Sequence, residues 1–391
     1  MDFQTRYAKL NTNQRQAVDY IHGSLLVIAG PGTGKTELLS MRTAQILRQT
    51  DTLPDSILCL TFTESGAANM RQRLRQIIGE DAYKIAIHTF HSFGTEIINQ
   101  HREYFFHGAD SQPADELTQH QIVAGILEGL DWRNPLSVKN NGEFVYTNEL
   151  IRVISEFKQS GLTPAELRAI TADNQRVIAG IASDVQQVFA AKISKKTIEL
   201  FAPLAENIAE RVGEGGITEP SGDTASSAPN NTVITAQTPT NLPSSITPYA
   251  QVLALSIAHA TQEAIDANST KPLTAWKNKW CEKNAAGEFV LKDFAASEKL
   301  SAAIDVYEAY GNVLAERSLF DYDDMILSVI QACEAHPELR ANLQEQYQFI
   351  MVDEFQDTNL AQLRLLFDLT GDEDNPNIMA VGDDDQAIFS F

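Results

Sequence analysis

Aliphatic runs that end in glycine-rich or acidic turns, each followed by a helical periodicity, predict an α/β fold for this 391-residue chain. The expected architecture is a parallel sheet with helices on both faces, plus a large inserted, mainly α-helical domain. Three observations carry the prediction. SLLVIAGPGTGKTELLSMRTAQILR (24–48) runs from a short apolar strand through a glycine-rich turn into a helix with apolar positions at Leu38, Leu39, Met41, Ile46 and Leu47. The same strand-then-helix unit recurs at SILCLTFT (56–63) and KIAIHTF (84–90). Near the other end, QFIMVDE (348–354) and NIMAVGDDD (377–385) have the aliphatic character of strands buried on both faces. One sheet is therefore divided between the two ends of the chain.

The segment between them is mostly helical in pattern. Thr163-Pro164-Ala165-Glu166, for instance, offers a capping box with proline at the first helical position. The expected division is a sheet domain from 1–104 and 316–391, with an inserted helical domain over 105–315. Within the insert, 213–248 has no Lys, Arg or aromatic residue and is dominated by Gly, Ser, Thr, Pro and Asn. It is expected to be a flexible linker, because it has too little apolar surface to offset ordering. The three cysteines, Cys59, Cys281 and Cys333, are far apart with no CxxC pair, which indicates neither a zinc site nor a disulfide framework. With no apolar run of membrane-spanning length, the expected location is a reducing cytoplasm. The net charge of −22 argues at first against a polyanionic partner. Residues 1–105, however, hold 11 Lys and Arg against 10 Asp and Glu, leaving 19 against 42 for the rest. The first part is neutral, with Arg71, Arg73 and Arg75 clustered.

AGPGTGKT (29–36) has the strand-before, helix-after context of a phosphate-binding loop. Ala29, Gly30, Pro31, Gly32, Thr33 and Gly34 would form the cofactor-binding loop, the glycines at 30, 32 and 34 letting backbone amides turn inward on the phosphates. Lys35 would reach the β- and γ-phosphates, and the Thr36 hydroxyl would ligate Mg²⁺. IMVDEFQDTN (350–359) places Asp353 and Glu354 where an aliphatic strand ends, the edge at which open α/β sheets bind ligands. Asp353 suits a Mg²⁺ ligand and Glu354 the base that activates water. Lys35 and Asp353 lie 318 positions apart, which by itself calls for a large insertion.

Read in order, LNTNQRQAV (10–18), AGPGTGKT (29–36), LTFTESGAANMRQRL (60–74), HTFHSFG (88–94), LFDYDDMI (319–326), IMVDEFQDTN (350–359) and VGDDDQAIF (381–389) resemble the ordered motifs of superfamily 1 DNA helicases of the UvrD/Rep/PcrA type. The resemblance implies a RecA-like P-loop domain and an ATP-dependent 3′-to-5′ translocase on single-stranded DNA, acting in repair, replication or recombination. It implies ATP and Mg²⁺ as cofactors, and single-stranded DNA and single-strand/duplex junctions as partners. Lys35, Glu354 and Gln386 would be catalytic, with Gln386 sensing the γ-phosphate. Gln14, which carries both donor and acceptor, would read the adenine edge. Thr61, Phe62, Thr63, Thr89, His91 and Phe391 would meet DNA. For Phe62 and Phe90 a place in the core competes with stacking on a base, and for Phe90 the core is the expected place. For His91 a structural histidine competes.

Two departures from the family pattern stand out. Glu37 follows GKT where arginine is typical, and Phe389, Ser390 and Phe391 replace tyrosine, glycine and tryptophan. Since the last motif coincides with the last residues, the chain is expected to be an N-terminal half lacking a second RecA-like domain, and nearly inactive alone. Two alternatives stay open: the helicase half of a RecB/AddA-like helicase–nuclease, and a non-catalytic module that binds ATP and single-stranded DNA.

Overall fold

Each of the five aliphatic runs forms one short strand: β1 (Leu25–Ile28), β2 (Ile57–Thr61), β3 (Ala86–Thr89), β4 (Phe349–Val352) and β5 (Ile378–Gly382). All pair in parallel, in the order β1-β5-β4-β2-β3. The computed structural model describes residues 3–30, 32–105, 112–190, 193–201, 203–204, 249–283, 287–292, 295–371 and 375–383. The expected linker at 213–248 lies outside them.

Strand periodicity divides the apolar residues between two cores. On one face, Leu58, Leu60, Ile350, Val352 and Ala380 pack with buried residues of α5 (Phe90–Gln100) and of three later helices. On the other, Ile57, Cys59, Phe349, Met351, Met379 and Val381 pack with α1 (Phe3–Tyr7), α2 (Thr12–Asp19), α3 (Lys35–Gln49) and α4 (Glu64–Ile78). β2 and β4 are buried at every position, which is why their sequences lack alternation.

After α5 come α6 (Glu116–Glu128), α7 (Thr147–Gln159), α8 (Pro164–Ala190), α9 (Tyr249–Asp266), α10 (Lys271–Trp280) and α11 (Ala295–Glu316). The three later helices of the sheet core are α12 (Tyr322–Ala335), α13 (Pro337–Gln346) and α14 (Leu360–Thr370). Two compact units result. The first holds described residues up to 129, 146–163 and from 309 onward; the second holds 130–145 and 164–308. The mainly helical unit is thus smaller than the 105–315 expected, since 105–129, 146–163 and 309–315 belong with the sheet.

A buried ion cluster fixes α7 in the first unit. Lys158 is 1% exposed, and its Nζ lies 2.6 Å from Asp321 and 2.5 Å from Asp324 at the start of α12. Ser155 donates to Asp323 at 2.6 Å, and Arg364 of α14 donates to the Gly161 carbonyl at 2.7 Å. In the second unit, Phe189 stacks on Trp276 with centroids 5.8 Å apart, and the indole N–H donates to Ser256 at 2.8 Å. Cys59, Cys281 and Cys333 are all free and buried. No helix among the described residues is long and apolar enough to cross a membrane.

Removing one partner of a buried ion cluster leaves uncompensated charge behind. Lys158→Ala should lower unfolding free energy by about 3–5 kcal/mol in urea denaturation. A loss under about 1 kcal/mol would show that Asp321 and Asp324 find other partners.

Candidate functional site

The backbone leaving β1 stays in the ladder for one more residue, Ala29 N–H donating to the Gly382 carbonyl at 2.8 Å. It then turns sharply. Gly32 and Gly34 have φ of +75° and +86°, a region that costs glycine nothing and other residues much. Among the described residues other than its chain neighbours, nothing lies within 4 Å of where a Cβ on Gly30 or Gly32 would sit, so the loop presents bare backbone. Thr33 Oγ1 closes the turn on the Gly30 carbonyl at 2.7 Å. α3 starts at Lys35 with Gly34 as its N-cap, aiming the helix's positive end at the loop. Pro31 lies outside the described residues.

Two contacts join this loop to the exit of β4. Lys35 Nζ is 2.9 Å from Glu354 Oε2, and Thr36 Oγ1 donates to Asp353 Oδ2 at 3.1 Å. Asp353 still belongs to the ladder, its N–H donating to the Leu60 carbonyl at 2.9 Å. Glu354 does not: its φ of 53° and ψ of 46° put a non-glycine residue in the left-handed region and break the strand. Gln356 spans the turn that follows. Its Nε2 donates to Glu354 Oε2 at 2.8 Å, while its Oε1 accepts from Asp383 N–H at 2.9 Å, just beyond β5.

The two carboxyls sit in opposed environments. Burial, reinforced by the neighbouring Glu354 charge, pushes Asp353 up against the opposing Thr36 hydroxyl. Burial also pushes Glu354 up, but hydrogen bonds from Gln356 and Lys35, with the Lys35 charge, outweigh it and hold that carboxyl below its ordinary value. Glu354 is thus kept ionised. Asp353 and the Thr36 hydroxyl form a compact pair of hard oxygens, the donor chemistry a divalent cation such as Mg²⁺ takes.

These contacts, across 319 and 317 sequence positions, set the loop and the acidic pair at one sheet edge. A family model for the UvrD/REP helicase N-terminal domain matches residues 10–211 and 217–391. The chain belongs to that family. Among similar proteins is DNA helicase II of Rickettsia typhi, 25% identical over 98% of this chain and 38% of the relative. Another is ATP-dependent DNA helicase PcrA of Staphylococcus aureus, 24% identical over 98% of this chain and 34% of the relative. The chain therefore spans little more than a third of the length of these curated relatives.

The remaining candidates in this UvrD/REP helicase domain fall at two places. Gln14 is half-buried and already engaged: Oε1 accepts from Asn11 N–H at 3.0 Å in a capping box that starts α2, and Nε2 donates to the Thr33 carbonyl at 3.1 Å. It ties α2 to the glycine-rich loop. Glu37, the departure after GKT, is held by Arg6 and Arg73.

At the ends of β2 and β3, Phe62 is 50% exposed and Thr63 caps α4 through Gly66 N–H. Thr61 and Thr89 are buried. Thr89 caps α5 in a reciprocal pair with Ser92 and donates to Glu64 at 3.1 Å. Gly66 lets α4 approach this closely, since a Cβ there would stand 2.5 Å from Thr61 Oγ1. Phe90 is in the core at 2% exposure. His91 is half-buried and meets Tyr322 edge-on, ring centroids 6.4 Å apart. Gln386 and Phe391 lie outside the described residues.

Sequence reasoning missed Gln356, Tyr322 and Arg6. Gln356 had a signal, a glutamine two places after the acidic pair on the same exit turn. Tyr322, 66% exposed, sits in the quoted LFDYDDMI stretch, where an aromatic at a helix start reads as core. Arg6 carried no pattern at all.

Removing the Lys35 cation takes away what favours the charged form of Glu354. Lys35→Ala should therefore raise the Glu354 pKa, and Asp353 in the same direction, in a carboxyl-carbon NMR titration. A Glu354 titration that does not move would mean that Lys35 takes no part in holding its charge.

Proposed function

We propose that the chain is the nucleotide- and DNA-binding part of an ATP-dependent DNA helicase that moves 3′-to-5′ along single-stranded DNA. The observation that carries this reading is the double contact Lys35–Glu354 and Thr36–Asp353, which makes one site of the glycine-rich loop and the β4 carboxylates. Membership of the UvrD/REP helicase family and the names of the relatives support the DNA substrate.

In this reading the amides of Gly32, Thr33 and Gly34 and the start of α3 receive the β- and γ-phosphates of ATP. Thr36 and Asp353 would hold Mg²⁺, which when bound would neutralise phosphate charge. The contact that Lys35 makes with Glu354 is one a phosphate would compete for. As Lys35 turns toward phosphate, Glu354 is freed as an ionised acceptor able to orient and deprotonate water. Gln356 still holds its position through Asp383. Gln386 senses the γ-phosphate, and Gln14 stands beside the base.

Phe62 offers an exposed ring at the end of β2 for a nucleobase, and Tyr322 beside His91 offers another. Thr63, and the buried Thr61 and Thr89, hold the strand ends and helix starts that present these rings. Phe391 would stack on a base as well, and the DNA bound would be single strands and single-strand/duplex junctions in the cytoplasm. Arginines from a second RecA-like domain would complete the charge stabilisation, so the chain alone binds Mg-ATP but turns it over very slowly and does not unwind duplex.

Two measurements test the reading. With the second RecA-like domain supplied, Glu354→Gln should cut DNA-stimulated ATP hydrolysis by about 10²–10⁴-fold while Mg-ATP affinity holds; unchanged turnover would remove Glu354 from the chemistry. Phe62→Ala should weaken binding of a fluorescent oligothymidylate by about tenfold, measured by anisotropy, without loss of ATP binding. Unaltered DNA affinity would make Phe62 a bystander.

A further inference from the structure

A cavity of about 360 Å³ opens beside the glycine-rich loop, lined by Arg6, Lys9, Leu10, Gln14, Gly34 and Glu37. Gly34 belongs to both: it is the N-cap of α3 and part of the cavity wall. A ligand with phosphates on the loop therefore has this space as the natural place for whatever the phosphates are attached to. Its volume lies within the range that takes small ligands, about 300–1,000 Å³.

One wall is a guanidinium fixed from two sides. Arg6 Nη1 donates to both Glu37 oxygens, at 2.8 and 3.0 Å, and Nη2 donates to Gln76. Glu37 is itself steadied by Arg73 at 2.9 Å. With both terminal nitrogens held, Nη1 by Glu37 and Nη2 by Gln76, the Arg6 plane is fixed at the cavity wall, and a fixed guanidinium plane stacks well on an aromatic ring. Leu10 supplies an apolar surface in the same cavity, a further fit to a heteroaromatic ring.

We propose that Arg6 is a specificity-determining residue of the nucleotide site, stacking on the nucleobase, and that Glu37 is a positioning residue that holds the Arg6 plane. The inference rests on the reading of residues 29–36 as the phosphate site. It also gives the acidic residue after GKT a use: Glu37 brings a cation from α1 to the cavity in place of carrying one.

Calorimetric titration of the chain with Mg-ATP and with Mg-tripolyphosphate, which lacks base and sugar, separates the two subsites. Arg6→Ala should weaken ATP by about tenfold and leave tripolyphosphate within about twofold. Arg6→Lys, which keeps the charge without the plane, should remain at least about threefold weak for ATP. Arg6→Gln reads the same ratio should the alanine variant fail to fold. Equal weakening of both ligands, or no weakening of ATP, would overturn the role of Arg6 alone. Lys35→Ala should lose both ligands; binding that survives it would instead sink the phosphate reading, and Arg6's role with it.

Discussion

The arrangement of the whole first unit depends on where two late strands go. β4 and β5, from residues 349–382, lie between β1 and β2, which are separated in sequence by only one helical crossover. Their register pairs Val352 with Leu60 and Ala380, and Gly382 with Ile28. Because side chains alternate between faces, a slip of one residue would exchange the two cores, turning Ile350 and Val352 toward α3 and α4. The same slip would carry Asp353 away from Thr36. Packing and polar geometry are thus satisfied by a single register.

At the edge so formed, polar contacts run continuously from the loop to the end of β5. Lys35 meets Glu354, Glu354 meets Gln356, and Gln356 accepts from the Asp383 amide. Each link is a hydrogen bond, and two include an ionised group, the kind that is shorter and stronger than a neutral pair. Glu354 can occupy its left-handed conformation because its neighbours on both sides are tied down. Lys35 is thus linked to the end of the strand on the far side of the acidic turn through bonded groups.

Much of this was legible in the residues, for identifiable reasons. Aliphatic runs as short as FIMV and IMAVG stand out because a strand buried on both faces admits little else. The glycine-rich turn shows itself because the φ at positions 32 and 34 lies in the left-handed region that strongly favours glycine. The boundary of the helical unit was not legible. α6 and α7 have the same amphipathic pattern whether they pack on a sheet unit or on other helices, and what decides for α7 is Lys158 meeting carboxylates 163 and 166 positions away. Long-range side-chain pairing of this kind leaves no periodicity. Thr61 and Thr89 were placed correctly at strand ends, but their burial came from the close approach of α4 and from a cap on α5, both of which depend on packing. Arg6 was invisible for a similar reason, since nothing around it marks a partner 31 residues on.

The strand order also sets a timetable for the ribosome. Among the described residues β1 has one neighbour, β5, so Ile28 waits for Gly382, 354 residues later, before its ladder can close. At synthesis rates of roughly 5–20 residues per second this wait is on the order of 20–70 s. Throughout it the exposed edge of a nascent aliphatic strand, and the unfilled gap beside β2, are surfaces a holdase can occupy and a stray strand can mispair with. The topology that joins the two ends of the chain at one edge thus also makes the first strand synthesised among the last to be paired.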